Sequence, residues 1–169
     1  AGVPPERIVF SGVGKTEAEV EFALRAGVAE INVESEPELH LVNRVAQRLG
    51  ARAAVAIRVN PDVEAGGHAK ISTGKAENKF GVSLSEAERL YANASNMAGV
   101  RPVGVACHIG SQITDMAPYE AAFGKMRKLV ERLRGEGLSV ERLDLGGGLG
   151  VPYFNQPTPP SPADYAATI

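Results

Sequence analysis

The chain has 169 residues, with a hydrophobic content of 44% and a charged content of 22%, as expected for a soluble globular protein with one domain. Its formal net charge of −2 predicts no basic surface for nucleic acid or for an anionic membrane. A single cysteine, Cys107, excludes an internal disulfide framework and fits a reducing compartment, so we expect a cytoplasmic protein. No apolar run approaches the roughly 18–20 residues of a membrane span, and the N-terminus shows no secretory signal.

Short apolar runs alternate with amphipathic segments along the chain. The apolar runs predict strands at 7–11, 29–34, 51–60, 101–110 and 140–147. Segments with helical periodicity lie between or after them, at 16–27, 35–50, 85–97 and 117–137, and a last helix is expected to open at 163. The stretch 61–84 is long for a connection, and we therefore predict a functional role for it.

Three of the predicted helices begin with a capping box, in which a serine or threonine and a glutamate three residues later bond to each other's backbone N–H groups. The pairs are Thr16 with Glu19, Ser35 with Glu38, and Ser85 with Glu88. Lys15, beside the first pair, is interpreted as a surface charge. Glycines at 27 and 50 stand where helices commonly end.

Strands separated by helices, without a hairpin signal, predict an α/β fold with a parallel sheet. Two architectures fit: a doubly wound open sheet, or part of a parallel (β/α)8 barrel of the TIM type. A complete barrel needs eight strands and about 200–250 residues. The chain offers only about five strand–helix units, so in the second case it forms a partial barrel.

Polar residues and glycines cluster where each predicted strand ends. They are Ser11, Glu34–Ser35, Arg58–Asn60, His108–Ser111 and Gly146–Gly148. In parallel α/β folds ligands bind at this end of the strands. The alternative is that connecting loops are simply polar and rich in glycine.

Two nucleotide-binding motifs are only approximated. GKT at 14–16 would need a further glycine at position 9 to form a P-loop, and that residue is Val9. DLGGGLG at 144–150 lacks the last glycine of a dinucleotide fingerprint, because Val151 or Tyr153 stands there. Consecutive glycine N–H groups can still enclose an anion, most often a phosphate, and a tight turn or close packing is the alternative explanation.

The segment HIGSQ at 108–112 favours a ligand. The imidazole of His108 could stack on a flat ring, Ser111 could donate its hydroxyl to a phosphate, and Arg58 would add a positive charge at the same end of the sheet. A histidine packed in the core is the alternative for His108. A planar phosphorylated cofactor, pyridoxal 5′-phosphate, fits these residues. No His, Cys, Asp or Glu spacing indicates a metal site.

Five segments then follow one another in a distinctive order: FSGVGKTEAEVEFAL, INVESEPEL, IRVNPDVEAGGHAKISTGKAENKFGV, CHIGSQI and LDLGGGLGVPY. Together they resemble the diaminopimelate decarboxylase family, whose members have an alanine-racemase-like barrel and use pyridoxal phosphate. They are less similar to ornithine decarboxylases, and biosynthetic arginine decarboxylases are more distant. The resemblance implies decarboxylation of meso-2,6-diaminopimelate to L-lysine and CO2, the last step of lysine biosynthesis.

The resemblance also implies roles for individual residues. His108 would stack on the pyridine ring of the cofactor. Its phosphate would be held by Ser111, Gly146, Gly147 and Gly148, with Gly147 the foremost of the four. Arg58 would lie near the ring hydroxyl. Small-molecule amino acids are the implied substrates, and the full-length protein is expected to be a homodimer.

Some parts of the family pattern have no counterpart in this chain. The lysine that forms the Schiff base lies in a Tyr-Ala-x-Lys-like motif expected upstream, and none of the lysines here matches it: Lys15, Lys70, Lys75, Lys79, Lys125 and Lys128. The substrate-binding residues and the C-terminal β-domain are expected after residue 169. We therefore interpret residues 1–169 as the central part of a pyridoxal-phosphate-binding barrel, without a catalytic residue of its own and inactive alone.

Two other functions remain open. The chain could come from a related decarboxylase that acts on ornithine or arginine, since substrate contacts would lie outside it. It could also be a non-catalytic module that binds pyridoxal phosphate.

Overall fold

The computed structural model describes residues 2–64, 80–153 and 158–169. They contain a five-stranded parallel sheet whose strand order follows the chain. The strands are β1 (Val9–Phe10), β2 (Glu30–Val33), β3 (Ala53–Val59), β4 (Val100–Cys107) and β5 (Arg142–Asp144). Most of the predicted functional stretch 61–84, including Lys70, Lys75 and Lys79, lies outside the described residues.

Helices alternate with the strands. They are α1 (Glu17–Ala26), α2 (Glu36–Arg48), α3 (Leu84–Ser95), α4 (Ala117–Gly135) and α5 (Pro162–Thr168), and a short 3-10 helix spans Pro5–Arg7. A sheet in which each strand pairs in parallel with the next is the arrangement of successive units of a (β/α)8 barrel, whereas a doubly wound sheet reverses its order at a switch point. The prediction of a partial TIM-type barrel is therefore confirmed.

The core lies between the sheet and the helices. The central strands β2, β3 and β4 are almost entirely buried, and α2, α3 and α4 cover them with Leu39, Leu90 and Leu129. The edge strands differ, since Val9 of β1 and Leu143 of β5 are 46% and 45% exposed. The predicted strands 7–11 and 140–147 are longer than β1 and β5, which in the described residues each pair on one side only.

The predicted helix starts are only partly correct. The box of Thr16 with Glu19 is confirmed. The box of Ser85 with Glu88 is wrong, because α3 begins two residues earlier and is capped by Ser83 with Glu86. The sequence 83–88 contains the Ser-x-x-Glu spacing twice, so spacing alone could not choose between the two registers.

Candidate cofactor site

A cavity of about 420 Å³ opens at the carboxyl ends of the strands, a volume suited to a small-molecule ligand. All five strands, or the residues directly after them, contribute to it. Its lining consists of Ser11, Gly12, Asn32, Arg58, Ala106, Cys107, His108, Asp144, Gly146 and Gly147. The predicted convergence of strand ends on one region is therefore observed.

The structure separates the predicted cofactor-binding residues into two groups. Arg58, His108, Gly146 and Gly147 border the cavity. Ser111 is exposed and does not border it, and neither does Gly148. The role predicted for the first group fits its position directly, whereas the second group lies beside the cavity.

The three glycines at 146–148 are here called the glycine loop. The structure does not give the same reason for glycine at each of these positions. A Cβ on Gly146 would lie 2.4 Å from the carbonyl oxygen of Cys107, and one on Gly148 would lie 1.8 Å from that of Gly110. Both glycines also have positive φ angles, +73° and +93°. Gly147 has open space at that position and an ordinary φ. Close packing therefore explains Gly146 and Gly148, whereas among the described residues a Cβ on Gly147 would meet no atom within 4 Å.

A buried ion pair joins β3 to the end of β2. Arg58 Nη1 lies 2.6 Å from Glu34 Oε1, and the same oxygen accepts a hydrogen bond of 3.1 Å from the backbone N–H of Gly12. The guanidinium also lies 5.9 Å from the ring centre of Phe80. Within the described residues, Arg58 Nε is buried and has no hydrogen-bond partner. An unsatisfied buried donor costs about 1–3 kcal/mol, so a ligand that accepts from it would be favoured.

A second polar contact, which the sequence did not reveal, crosses the inner face of the sheet. Asn32 Nδ2 on β2 donates to Asp144 Oδ2 on β5 at 2.9 Å, although these strands are not neighbours. The other carboxylate oxygen of Asp144 accepts from the backbone N–H of Gly146 at 2.8 Å. Asp144 therefore fixes the start of the glycine loop. Asn32 Oδ1 is buried and has no partner among the described residues.

Lys15 is not the surface charge that the sequence predicted. Its side chain is only 2% exposed, and its ammonium group lies 2.7 Å from Glu38 Oε1 on α2. It also donates to the carbonyl oxygens of Gly12 and Asn32, two residues that border the cavity. Burial raises the pKa of the Glu38 carboxyl, and the hydrogen bond from Lys15 partly opposes this rise. Glu38 therefore completes no capping box at Ser35, whose side chain caps α2 alone.

Cys107 lies in the core at the end of β4. Burial, together with the nearby charge of Asp144, raises the pKa of its thiol to about 12. Because the thiolate is the reactive form, we expect alkylation of Cys107 by iodoacetamide at pH 8 to be at least about a hundredfold slower in the folded protein than in denaturant. Peptide mass mapping measures both rates, and rapid labelling of the folded protein would contradict this description of the site.

Residues 2–64, 80–153 and 158–169 contain neither a candidate metal cluster nor a helix that could cross a membrane. No group of three or more His, Cys, Asp or Glu side chains there could hold a metal ion. None of the helices in these ranges combines the length and apolar character needed to cross a membrane.

Comparison with known proteins supplies the family. Residues 1–169 match the family of pyridoxal-dependent decarboxylases, at its pyridoxal binding domain. Diaminopimelate decarboxylase of Zymomonas mobilis is 49% identical over 170 residues, which is 100% of this chain and 40% of that protein. The crystal structure of diaminopimelate decarboxylase from Helicobacter pylori, complexed with L-lysine, superimposes with a TM-score of 0.92 at 43% identity, over 99% of this chain and 42% of that chain.

A structure with another substrate class is less similar. Lysine/ornithine decarboxylase from Vibrio vulnificus, complexed with putrescine, has a TM-score of 0.73 and 26% identity, over 94% of this chain and 38% of that chain. The chain spans about 40% of the length of the curated relatives that it matches. The match along its full length shows that the chain belongs to the family of pyridoxal-dependent decarboxylases and corresponds to their pyridoxal-binding domain.

Proposed function

We propose that this chain is part of a pyridoxal-phosphate-dependent enzyme that decarboxylates meso-2,6-diaminopimelate to L-lysine and CO2. The cavity at the carboxyl ends of all five strands carries the proposal, because it offers a flat imidazole, a guanidinium and an open glycine backbone in a pyridoxal-binding domain. The identity of 49% to a diaminopimelate decarboxylase supports the choice of substrate.

The residues present fit pyridoxal phosphate. His108 would stack on its pyridine ring, and Arg58, whose buried Nε has no partner within the described residues, would lie at its ring hydroxyl. Gly147 would hold the phosphate through its backbone N–H, with Gly146 and Gly148 setting the shape of the loop. Ser111, which does not border the cavity, would contribute its hydroxyl to the phosphate.

When bound, the cofactor acts as the electron sink for the bond that breaks, and the protein supplies orientation and electrostatics. Glu34 holds Arg58 in place and also binds the N–H of Gly12, so the guanidinium and the loop after β1 are fixed together. Asp144 fixes Gly146 and is itself tied to β2 through Asn32. The same proposal includes a homodimeric full-length protein located in the cytoplasm. Light scattering of the full-length protein tests the dimer.

Release of CO2 from meso-diaminopimelate, L-ornithine and L-arginine by the full-length protein tests the proposed reaction. We expect release only from meso-diaminopimelate and only with pyridoxal phosphate present. Release from ornithine or arginine instead would favour a related basic amino-acid decarboxylase. Cofactor binding without release from any of the three would favour a non-catalytic module.

Replacement of Gly147 by alanine tests the phosphate site separately from folding. The added Cβ meets no atom within 4 Å, so we expect the thermal unfolding midpoint to stay the same. We expect the affinity for pyridoxal phosphate to fall at least about tenfold, because a methyl group would crowd a phosphate bound at this N–H and would weaken a charge-assisted hydrogen bond. Equilibrium dialysis measures this, and an unchanged affinity would contradict the placement of the phosphate at Gly147.

A further inference from the structure

Two tyrosines from different helices contact the carbonyl groups of the glycine loop. The hydroxyl of Tyr119, on α4, donates to the carbonyl oxygen of Gly147 at 3.3 Å. The hydroxyl of Tyr165, on α5, donates to that of Gly146 at 3.3 Å. Neither tyrosine borders the cavity. Both therefore hold the loop from outside the cavity.

The two rings are held rigidly by each other and by Phe123. The centroids of Tyr119 and Tyr165 are 5.0 Å apart with an interplanar angle of 85°, an edge-to-face contact. The ring centroid of Phe123 lies 5.8 Å from that of Tyr119 and 5.9 Å from that of Tyr165. Tyr119 itself is only 1% exposed. The hydroxyl groups are consequently presented to the loop in fixed positions.

The orientation of the carbonyl groups sets the orientation of the N–H groups. In a trans peptide the C=O and the following N–H point in opposite directions, and no described peptide bond is cis. The carbonyl of Gly146 points to Tyr165, and the carbonyl of Gly147 points to Tyr119. The carbonyl oxygen of Gly148 accepts a hydrogen bond of 2.9 Å from the backbone N–H of Ile113. The N–H groups of Gly147 and Gly148 are therefore turned away from the tyrosines.

These N–H groups are also available. Among the described residues, neither the N–H of Gly147 nor that of Gly148 donates to a protein acceptor. Gly147 borders the cavity and has open space beside it. Within the described residues the carbonyl groups of all three glycines are bound and the N–H of Gly146 donates to Asp144, whereas the N–H groups of Gly147 and Gly148 are free. Two consecutive free N–H groups of this kind are arranged to accept an anion.

We propose that Tyr119 and Tyr165 are positioning residues for the phosphate of the cofactor, which they orient by fixing the peptide planes of the glycine loop. This inference rests on the proposed function, because it takes pyridoxal phosphate as the ligand. It extends the site beyond the residues that touch the cavity, to one hydroxyl on each of the helices α4 and α5.

Substitution by phenylalanine tests the proposal, since it removes each hydroxyl and keeps the ring packing. Tyr119→Phe, Tyr165→Phe and the double variant are made in the full-length protein, and the dissociation constants of pyridoxal 5′-phosphate and of pyridoxal, which lacks the phosphate, are measured by equilibrium dialysis. We expect each single variant to bind pyridoxal 5′-phosphate about three- to tenfold more weakly, and the double variant more weakly still, with pyridoxal affected much less.

Tyr91→Phe is the matched control. The buried Tyr91 on α3 also donates its hydroxyl to a backbone carbonyl, that of Ser139 at 2.7 Å, but it does not border the cavity or the glycine loop. Each of the phenylalanine variants loses a hydrogen bond, so we expect all of them, including Tyr91→Phe, to have a lower thermal stability. Tyr91→Phe alone is expected to leave the ratio of the two dissociation constants unchanged.

The outcomes distinguish the inference from the proposed function. If the Tyr119 and Tyr165 variants bind both ligands equally more weakly, or bind both as tightly as the unsubstituted protein, the positioning role is overturned. Neither result contradicts the proposal that the protein binds the cofactor. If the full-length protein without substitutions binds neither pyridoxal 5′-phosphate nor pyridoxal, the proposed function itself is overturned. A selective loss of pyridoxal 5′-phosphate in these variants, absent from Tyr91→Phe, supports the inference.

Discussion

Replacement of Lys15 by methionine is expected to lower the free energy of unfolding by about 3–5 kcal/mol, because it leaves the buried carboxylate of Glu38 without its partner. Methionine keeps most of the length and apolar volume of the side chain, so loss of packing contributes little. The change also removes the hydrogen bonds to the carbonyl groups of Gly12 and Asn32. Urea denaturation followed by circular dichroism measures the effect.

Two comparisons identify the cause of that loss. The double variant Lys15→Met with Glu38→Gln is expected to be more stable than Lys15→Met alone, because the uncompensated charge is gone. Arg89→Met, which breaks an exposed pair with Glu36, is expected to leave the denaturation midpoint nearly unchanged. A Lys15→Met protein as stable as the unchanged one would contradict the buried ion pair.

The pH dependence of the Lys15→Met variant follows from the same pair. Burial raises the pKa of Glu38, and Lys15 opposes that rise, so its loss raises the pKa further. A carboxyl whose pKa is higher in the folded than in the unfolded state binds more protons when folded, and its destabilising effect therefore grows as pH increases. We expect the stability deficit to be largest near pH 7 and to shrink as pH falls toward 4.5, the ordinary pKa.

Replacement of Gly148 by alanine is expected to destabilise the fold by about 2–6 kcal/mol, the sum of a backbone strain and a steric overlap. The φ angle of +93° strains any residue with a side chain, which costs about 1–3 kcal/mol. The new Cβ would also lie 1.8 Å from the carbonyl oxygen of Gly110, and the forced backbone shift adds a cost of about 1–3 kcal/mol. Thermal and urea denaturation measure the sum.

Gly137→Ala separates the two contributions to that cost. Gly137 has a φ of +80° but open space where the Cβ would be placed, so the change strains the backbone without an overlap. It is expected to cost less than Gly148→Ala. Equal costs at the two positions would show that the backbone of residue 110 does not pack against the glycine loop as described.

The sequence contains enough to predict the order of elements and the region of the site. Alternation of apolar runs with capped helices indicated the parallel barrel, and clusters such as HIGSQ after a strand indicated the end at which the cavity opens. The lengths of the edge strands were overestimated because the apolar pattern alone does not show that, within the part of the chain that the structure describes, β1 and β5 each pair on one side only. Local sequence patterns therefore predict the type and order of secondary-structure elements well, but they predict poorly which elements pack or pair with one another.

The polar contacts of the site show why the rest could not be predicted. Asn32 and Asp144 are 112 positions apart and meet only because the sheet curves. Lys15 is 23 positions from Glu38 and lies beside a helix cap, where a lysine is usually exposed. The glycine run itself does not show that packing requires two of its three glycines and leaves the third open. Such differences depend on backbone geometry that residue type does not encode.

A crystal structure of the full-length protein with pyridoxal 5′-phosphate tests the central claim most directly. The account predicts electron density for the cofactor in the cavity at the strand ends, with the ring against His108 and a phosphate oxygen within hydrogen-bonding distance of the backbone N–H of Gly147. Cofactor bound elsewhere, or a phosphate held without contact to residues 146–148, would contradict it.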